Sequence, residues 1–154
     1  MPAADAAEPS PEDILIKSVT MLTDDCDFAC CYEAAGLYSK RFLKLTRDSS
    51  LASLRTNPDP DSVVRRLHDG KINTLAEYER LTPRELYAGI ICKDIIGIPA
   101  KYRYSKVEIL DVKHLSSDSI EYVVRMSGLK FKPSMKEEAF HRLVRENGQW
   151  RIDQ

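Results

Sequence analysis

The sequence predicts an α+β domain with helices in roughly its first two thirds and an antiparallel sheet in its last third. Two observations carry this. Apolar residues recur at helical spacings of three and four, behind repeated capping signals, as far as Gly97, and from Lys101 the period changes to two. Asn147-Gly148 then separates two alternating runs, and Asn-Gly is the preferred loop of a type I′ hairpin because both of its residues need positive φ. The 154 residues suit one domain, expected over 11–154 behind a disordered tail of Ala, Pro and acidic residues over 1–10.

The first helix opens at "SPEDILIKSVTML". Ser10 caps it, Pro11 suits the first position and Asp13 completes a capping box. Ile14, Leu15, Val19 and Leu22 share a face with Ser18. Asp25 or Asp27 can cap a second, longer helix whose stripe runs Phe28, Cys31, Ala35, Tyr38, Phe42 and Leu45. "TRDSSLASLRTNPDPDS" is rich in Ser, Asn, Asp and Pro and reads as a connection. Three short helices follow. "SVVRRLHDG" ends on Gly70, with His68 helping to close the terminus. "TLAEYERL" and "TPRELYAGIICKDIIG" each open on a capping-box spacing, Thr74 with Glu77 and Thr82 with Glu85.

The first predicted hairpin joins "KYRYSKVEILDVKHL" to "IEYVVRMSG" through a loop at Ser117-Asp118. That register puts Val107, Ile109, Asp111, Lys113 and Leu115 on the face of Ile120, Tyr122, Val124 and Met126. It sets His114 opposite Glu121. The outer face then shows Leu110, Val112 and Val123, with Phe140 and Val144 from the second hairpin, an apolar patch suited to a homodimer. In the second hairpin Arg145 faces Trp150, Leu143 faces Ile152 and His141 faces Gln154, while Arg142 and Asp153 pair on the other side.

Asp111 and His141 are ionisable residues on largely apolar surfaces. A carboxylate beside a histidine in a half-dry cavity is equipment for moving a proton, so they are the candidate catalytic pair. Polar strand residues also serve as plain solvent-reaching positions. Tyr87, Tyr104, Tyr122 and Trp150 are the candidate pocket-lining residues, and Tyr102 could add a hydroxyl. Tyrosine equally suits the edge of a core.

A net charge of −1, with both signs interspersed, offers no basic stripe for nucleic acid. No apolar run approaches the roughly 18 residues of a membrane helix. "MPAADAAEPSPED" has neither the basic nor the apolar region of a secretory signal, so a cytoplasmic protein is expected. Cys26, Cys30, Cys31 and Cys92 make no zinc spacing with the scattered histidines. They are expected as reduced, packed thiols, with no metal or cofactor.

Helices followed by antiparallel strands, with a last strand carrying "NGQWRI", resemble the nuclear transport factor 2-like superfamily, in which Gly148, Trp150 and Ile152 would form the frequent G-x-W-x-I signature. The resemblance covers residues 11–154 in element order and is specific over the last dozen. It implies a cone in which helices fold over a strongly curved sheet (cystatin-like in outline), as in SnoaL-like and ketosteroid isomerase-like proteins. The isomerase and dehydratase residue patterns of that superfamily do not map onto this chain, and residues 46–98 read as short helices where an early strand is expected. Two functions remain open. One is non-catalytic binding of a small apolar ligand or a protein partner. The alternative is a small acid/base enzyme of isomerase or dehydratase type using Asp111 and His141.

Overall fold

The computed structural model describes residues 8–67 and 71–154. Most of the predicted tail, and the closing roles expected of His68 and Gly70, lie outside those residues. Among the described residues six α-helices precede four strands: α1 (Pro11–Thr20), α2 (Phe28–Ala35), α3 (Lys40–Arg55), α4 (Pro60–Leu67), α5 (Leu75–Glu79) and α6 (Pro83–Ile90), then β1 (Lys106–Ser116), β2 (Ser119–Ser127), β3 (Glu137–Glu146) and β4 (Gln149–Ile152). The sheet is antiparallel and open, in the order β1-β2-β3-β4. No described helix is long and apolar enough to cross a membrane.

The caps read from the sequence form, except that Thr74 and Glu77 close no reciprocal box: the Thr74 hydroxyl accepts from the Glu77 N–H at 3.1 Å, but the Glu77 carboxylate accepts from the Asn73 N–H. The Ser10 hydroxyl accepts from the Asp13 N–H at 3.2 Å, and the Asp13 carboxylate accepts from the Ser10 N–H at 3.4 Å. Thr82 and Glu85 make the same reciprocal pair at the start of α6. Asp27 caps α2. Two helical expectations change. The long second helix is two helices, because residues 36–39 leave the helical path and Ser39, whose hydroxyl accepts from the Phe42 N–H, caps α3 anew. The expected connection from Thr46 is instead the second half of α3. Leu51 and Leu54 pack there with Val64, Tyr78 and Leu86, and that burial overrides a Ser-rich local composition. α6 continues as a π-helical turn over Ile91–Ile96.

The cysteines also depart from expectation. Cys26 is joined to Cys30 and Cys31 to Cys92, so no thiol in the chain is free. The second bridge ties α2 to the turn after α6, across a small core of Ala34, Ala35, Ala88 and Ile91.

The sheet core gathers Ile14 and Leu15 of α1 with Leu37, Tyr122, Leu143, Trp150 and Ile152. The second hairpin has the predicted register: Leu143 pairs with Ile152 and Arg145 with Trp150, around a turn with Asn147 at φ 48° and Gly148 at φ 76°. The first does not. Bulges at Leu115 and Leu110 each add one residue to β1. Between them the faces are exchanged, so Val112 opposes Tyr122, His114 opposes Ile120 and Asp111 opposes Val123. The expected pair of His114 with Glu121 is therefore replaced by Lys113 with Glu121. Beyond the second bulge Val107 and Ile109 face inward as predicted.

The outer face of the sheet is consequently less apolar than expected. Val112 belongs to the other face. Around Val123, Phe140 and Val144, Arg125 bridges Glu108 and Glu138, and Arg142 pairs with Glu121 at 3.0 Å. Arg142 is thus not the side-chain partner of Asp153. Asp153 is buried and accepts from the Ser39 hydroxyl at 2.5 Å and from the Arg41 guanidinium at 2.7 Å. Beside it Ile152 exchanges backbone hydrogen bonds with the helical layer: its N–H donates to Leu37 O, and Ser39 N–H donates to Ile152 O, both at 2.8 Å.

Trp150, 6% exposed, lies between this seam and α1. Trp150→Ala is expected to cost about 3–5 kcal/mol, the usual loss for truncating a buried aromatic. A urea midpoint close to wild type would show that the side chain is not a core residue. Burial works to raise the Asp153 carboxyl pKa, but the hydrogen bonds from Arg41 and Ser39 outweigh it and hold the value below the ordinary carboxylate range. The stability it contributes is therefore complete above the unfolded pKa of about 4 and is lost as pH falls through the lower folded value. Asp153→Asn should cost roughly 1–3 kcal/mol at neutral pH. Its deficit in urea titrations should begin to shrink below about pH 4, where the unfolded carboxylate takes up its proton, and should be smallest below the lower folded value, where the folded carboxylate is protonated as well.

Candidate functional site

The predicted site residues are scattered. Asp111 is exposed, and its carboxylate accepts from the neighbouring Val112 N–H at 3.0 Å. It lies on the outer face with Val123 and Phe140, whereas His141 lies opposite Tyr122 on the inner face. Each bulge reverses the faces, and the one at Leu115 is what turns Asp111 outward. His141 sits at hydrogen-bond distance, 3.0 Å, from the Gln154 carbonyl through Nδ1. The structure does not bring this pair together.

The four pocket candidates also diverge. Tyr122 is 1% exposed, and its hydroxyl donates to the Glu12 carboxylate at 3.0 Å. Burial first, and that carboxylate second, push its pKa up. Tyr87 packs edge-on against Tyr38 and Phe42 with centroids 4.9 and 5.2 Å apart. Burial raises the pKa of both Tyr38 and Tyr87, so each is a neutral phenol. Tyr104 borders a cleft of about 280 Å³ beside Arg103 and Asp24. Trp150 borders another, about 330 Å³, beneath the guanidinium of Arg145.

A larger groove lies elsewhere, between the start of α3, the α5–α6 junction and the β3–β4 turn. Its volume, about 810 Å³, lies within the range usual for small-molecule sites. Leu43, Leu81, Pro83, Tyr32 and Tyr38 supply apolar surface. Lys40, Lys44, Arg47, Arg80, Arg84 and Arg151 also line it. Lys40, Lys44 and Arg47 recur at helical spacing and so share one face of α3.

Two carboxylates, Glu79 and Glu146, share the lining with these six cations, and both are engaged; Arg84 also pairs with Glu33 at 3.8 Å, outside the lining. Glu146 accepts from the Lys40 backbone N–H at 3.1 Å, at the start of α3, and Glu79 pairs with Arg55 at 3.1 Å. Arg84 is held in place: its Nε donates to Tyr32 O at 2.9 Å, and its guanidinium stacks 3.9 Å from the Tyr32 ring centroid. It lies so close over Gly36 that any Cβ there would collide with it. Lys44 and Arg47 lean on Asp48. Among the described residues, no carboxylate pairs with the side chain of Lys40 or Arg80.

Sequence reasoning missed this groove. One signal was available, the cationic face of α3. The other parts come from α2, the α5–α6 junction, α6 and β4 and meet only in the packed chain. Among the described residues, no group of three or more His, Cys, Asp or Glu side chains is placed to hold a metal. Comparison with protein-family models, curated proteins and solved structures finds no match for this chain.

Proposed function

We propose that the chain is a non-catalytic binding domain whose large groove takes an organic anion with an apolar body. The observation that carries this reading is the surplus of cations in the lining: Lys44 and Arg47 pair with Asp48 and Arg84 with Glu33, while among the described residues no carboxylate pairs with the side chains of Lys40, Arg80 and Arg151. In a chain of net charge −1 this concentrates positive potential at one concave place. Leu43, Leu81 and Pro83 would receive the apolar part, and Lys40 and Arg80 the anionic head. Nothing assembles a base, an electrophile and an orienting group there, and the carboxylate–histidine pair of the enzyme alternative lies on opposite faces of the sheet. The likeness to the nuclear transport factor 2-like superfamily belongs to the same proposal. Supporting it are the helix-then-meander order and the burial of Trp150 and Ile152 from the last strand.

Anilinonaphthalene sulfonate, an aromatic anion, is a direct probe. It should bind at one site with a fluorescence rise. Decanoate or decyl phosphate should displace it, and decanol should not. The Lys40→Glu/Arg80→Glu double variant should lose about tenfold in affinity, equivalent to about 1.4 kcal/mol. Salt should weaken wild-type binding as the Debye length falls from about 30 Å at 0.01 M to about 8 Å at 0.15 M. Unchanged affinity in the double variant, with an unchanged urea midpoint, would overturn the reading.

A further inference from the structure

The four sulfurs form one cluster beside α2, away from the groove. Cys26 and Cys31 are buried, at 7% and 0% exposure, while Cys30 and Cys92 are half-buried. Each disulfide therefore joins a buried cysteine to a half-buried one. The sulfurs of the two buried cysteines, Cys26 Sγ and Cys31 Sγ, are 3.9 Å apart, close to van der Waals contact. Cys30 occupies the first turn of α2 and Cys26 lies just before its cap. A thiolate at either place is favoured by the positive end of the helix.

We propose that the cluster is a thiol–disulfide exchange site that passes a disulfide inward, with a dithiol as co-reactant, Cys30 as the point of entry and Cys92 as the leaving group. A thiolate of the dithiol attacks Cys30 Sγ. The Cys26–Cys30 bond breaks, and its electron pair leaves on Cys26. The Cys26 thiolate attacks Cys31 Sγ across the contact. The Cys26–Cys31 bond forms, and Cys92 departs as a thiolate that takes a proton from water. The second thiolate of the dithiol then attacks its own sulfur in the mixed disulfide and releases Cys30. The dithiol is oxidised to a cyclic disulfide. The protein is reduced by two electrons, its thiols at Cys30 and Cys92 and its remaining bridge buried between Cys26 and Cys31.

The oxidised protein, treated with one equivalent of dithiothreitol and quenched with N-ethylmaleimide, reports the outcome. Cleavage before Asp25 and Asp27 separates Cys26 from Cys30 and Cys31, and fragmentation of the linked peptides between Cys30 and Cys31 by tandem mass spectrometry reads which of the two is bridged. The expected main product carries label on Cys30 and Cys92 with Cys26 linked to Cys31. Label on Cys26 and Cys30 with Cys31–Cys92 intact would overturn the proposal. So would four free thiols with stoichiometric zinc in protein isolated without added metal. Cys92→Ser gives a second reading without reductant, because it leaves the Cys31 thiol beside Cys26. That variant should contain both Cys26–Cys30 and Cys26–Cys31 bridges, and finding Cys26–Cys30 alone would count against exchange across the contact.

Discussion

The helical layer and the sheet meet at the backbone seam between residues 37–39 and Ile152, and the rest of the architecture depends on it. A four-residue terminal strand has little hold of its own. Here β4 is paired on both sides, by β3 along one edge and by the extended segment between α2 and α3 along the other. Asp153 secures that seam electrostatically. Its carboxylate joins the Ser39 hydroxyl, itself the cap of α3, to the Arg41 guanidinium in the first turn of the same helix. One acid thus fixes a strand end and a helix start together. Hydrogen bonds to an ionised, buried acceptor are stronger than neutral ones, which suits a joint with few other contacts.

The seam also makes the groove. Because the chain leaves the helical path at Gly36, α3 sets off in a new direction, with Lys40, Lys44 and Arg47 on a face that meets the α5–α6 junction. The same break lets Arg84 lie over Gly36 and stack on Tyr32. The groove's separation from the sheet core explains how a chain whose sheet face is filled by Tyr122, Leu143 and Trp150 can still present a large concavity.

The groove and the cysteine cluster sit on opposite ends of α2's chemistry. Tyr32 and Gly36 line the groove near the helix C-terminus, while Cys26 and Cys30 occupy the N-terminal end. Cys31, between them, is tied to Cys92 after α6, so the disulfide holds together two of the helices that border the groove. Cys31, Ala34 and Ala35 of α2 are buried as its apolar stripe predicts, whereas Phe28 at the head of that stripe is 43% exposed.

Much of the local structure was legible in the residues. Ser10, Asp27 and Thr82 are caps because short oxygen-bearing side chains satisfy free helix N–H groups, and Asn147-Gly148 is a tight turn because it tolerates positive φ. These are short-range effects, so composition and spacing determine them. The register of the second hairpin follows from its two-residue turn, and the inward course of Trp150 and Ile152 follows from that register. Tertiary structure decided what depends on distant partners. Bulges in β1 carry no local signature in this chain, yet they choose which way Asp111 and Val112 point. The helical half of residues 46–55 exists because Leu51 and Leu54 find Val64, Tyr78 and Leu86 to bury against. Asp153 chose Arg41 over Arg142 because the seam at Ile152 brings α3 to the strand end. The groove's cations, drawn from α3, the α5–α6 junction, α6 and β4, become one site only when those pieces are packed together.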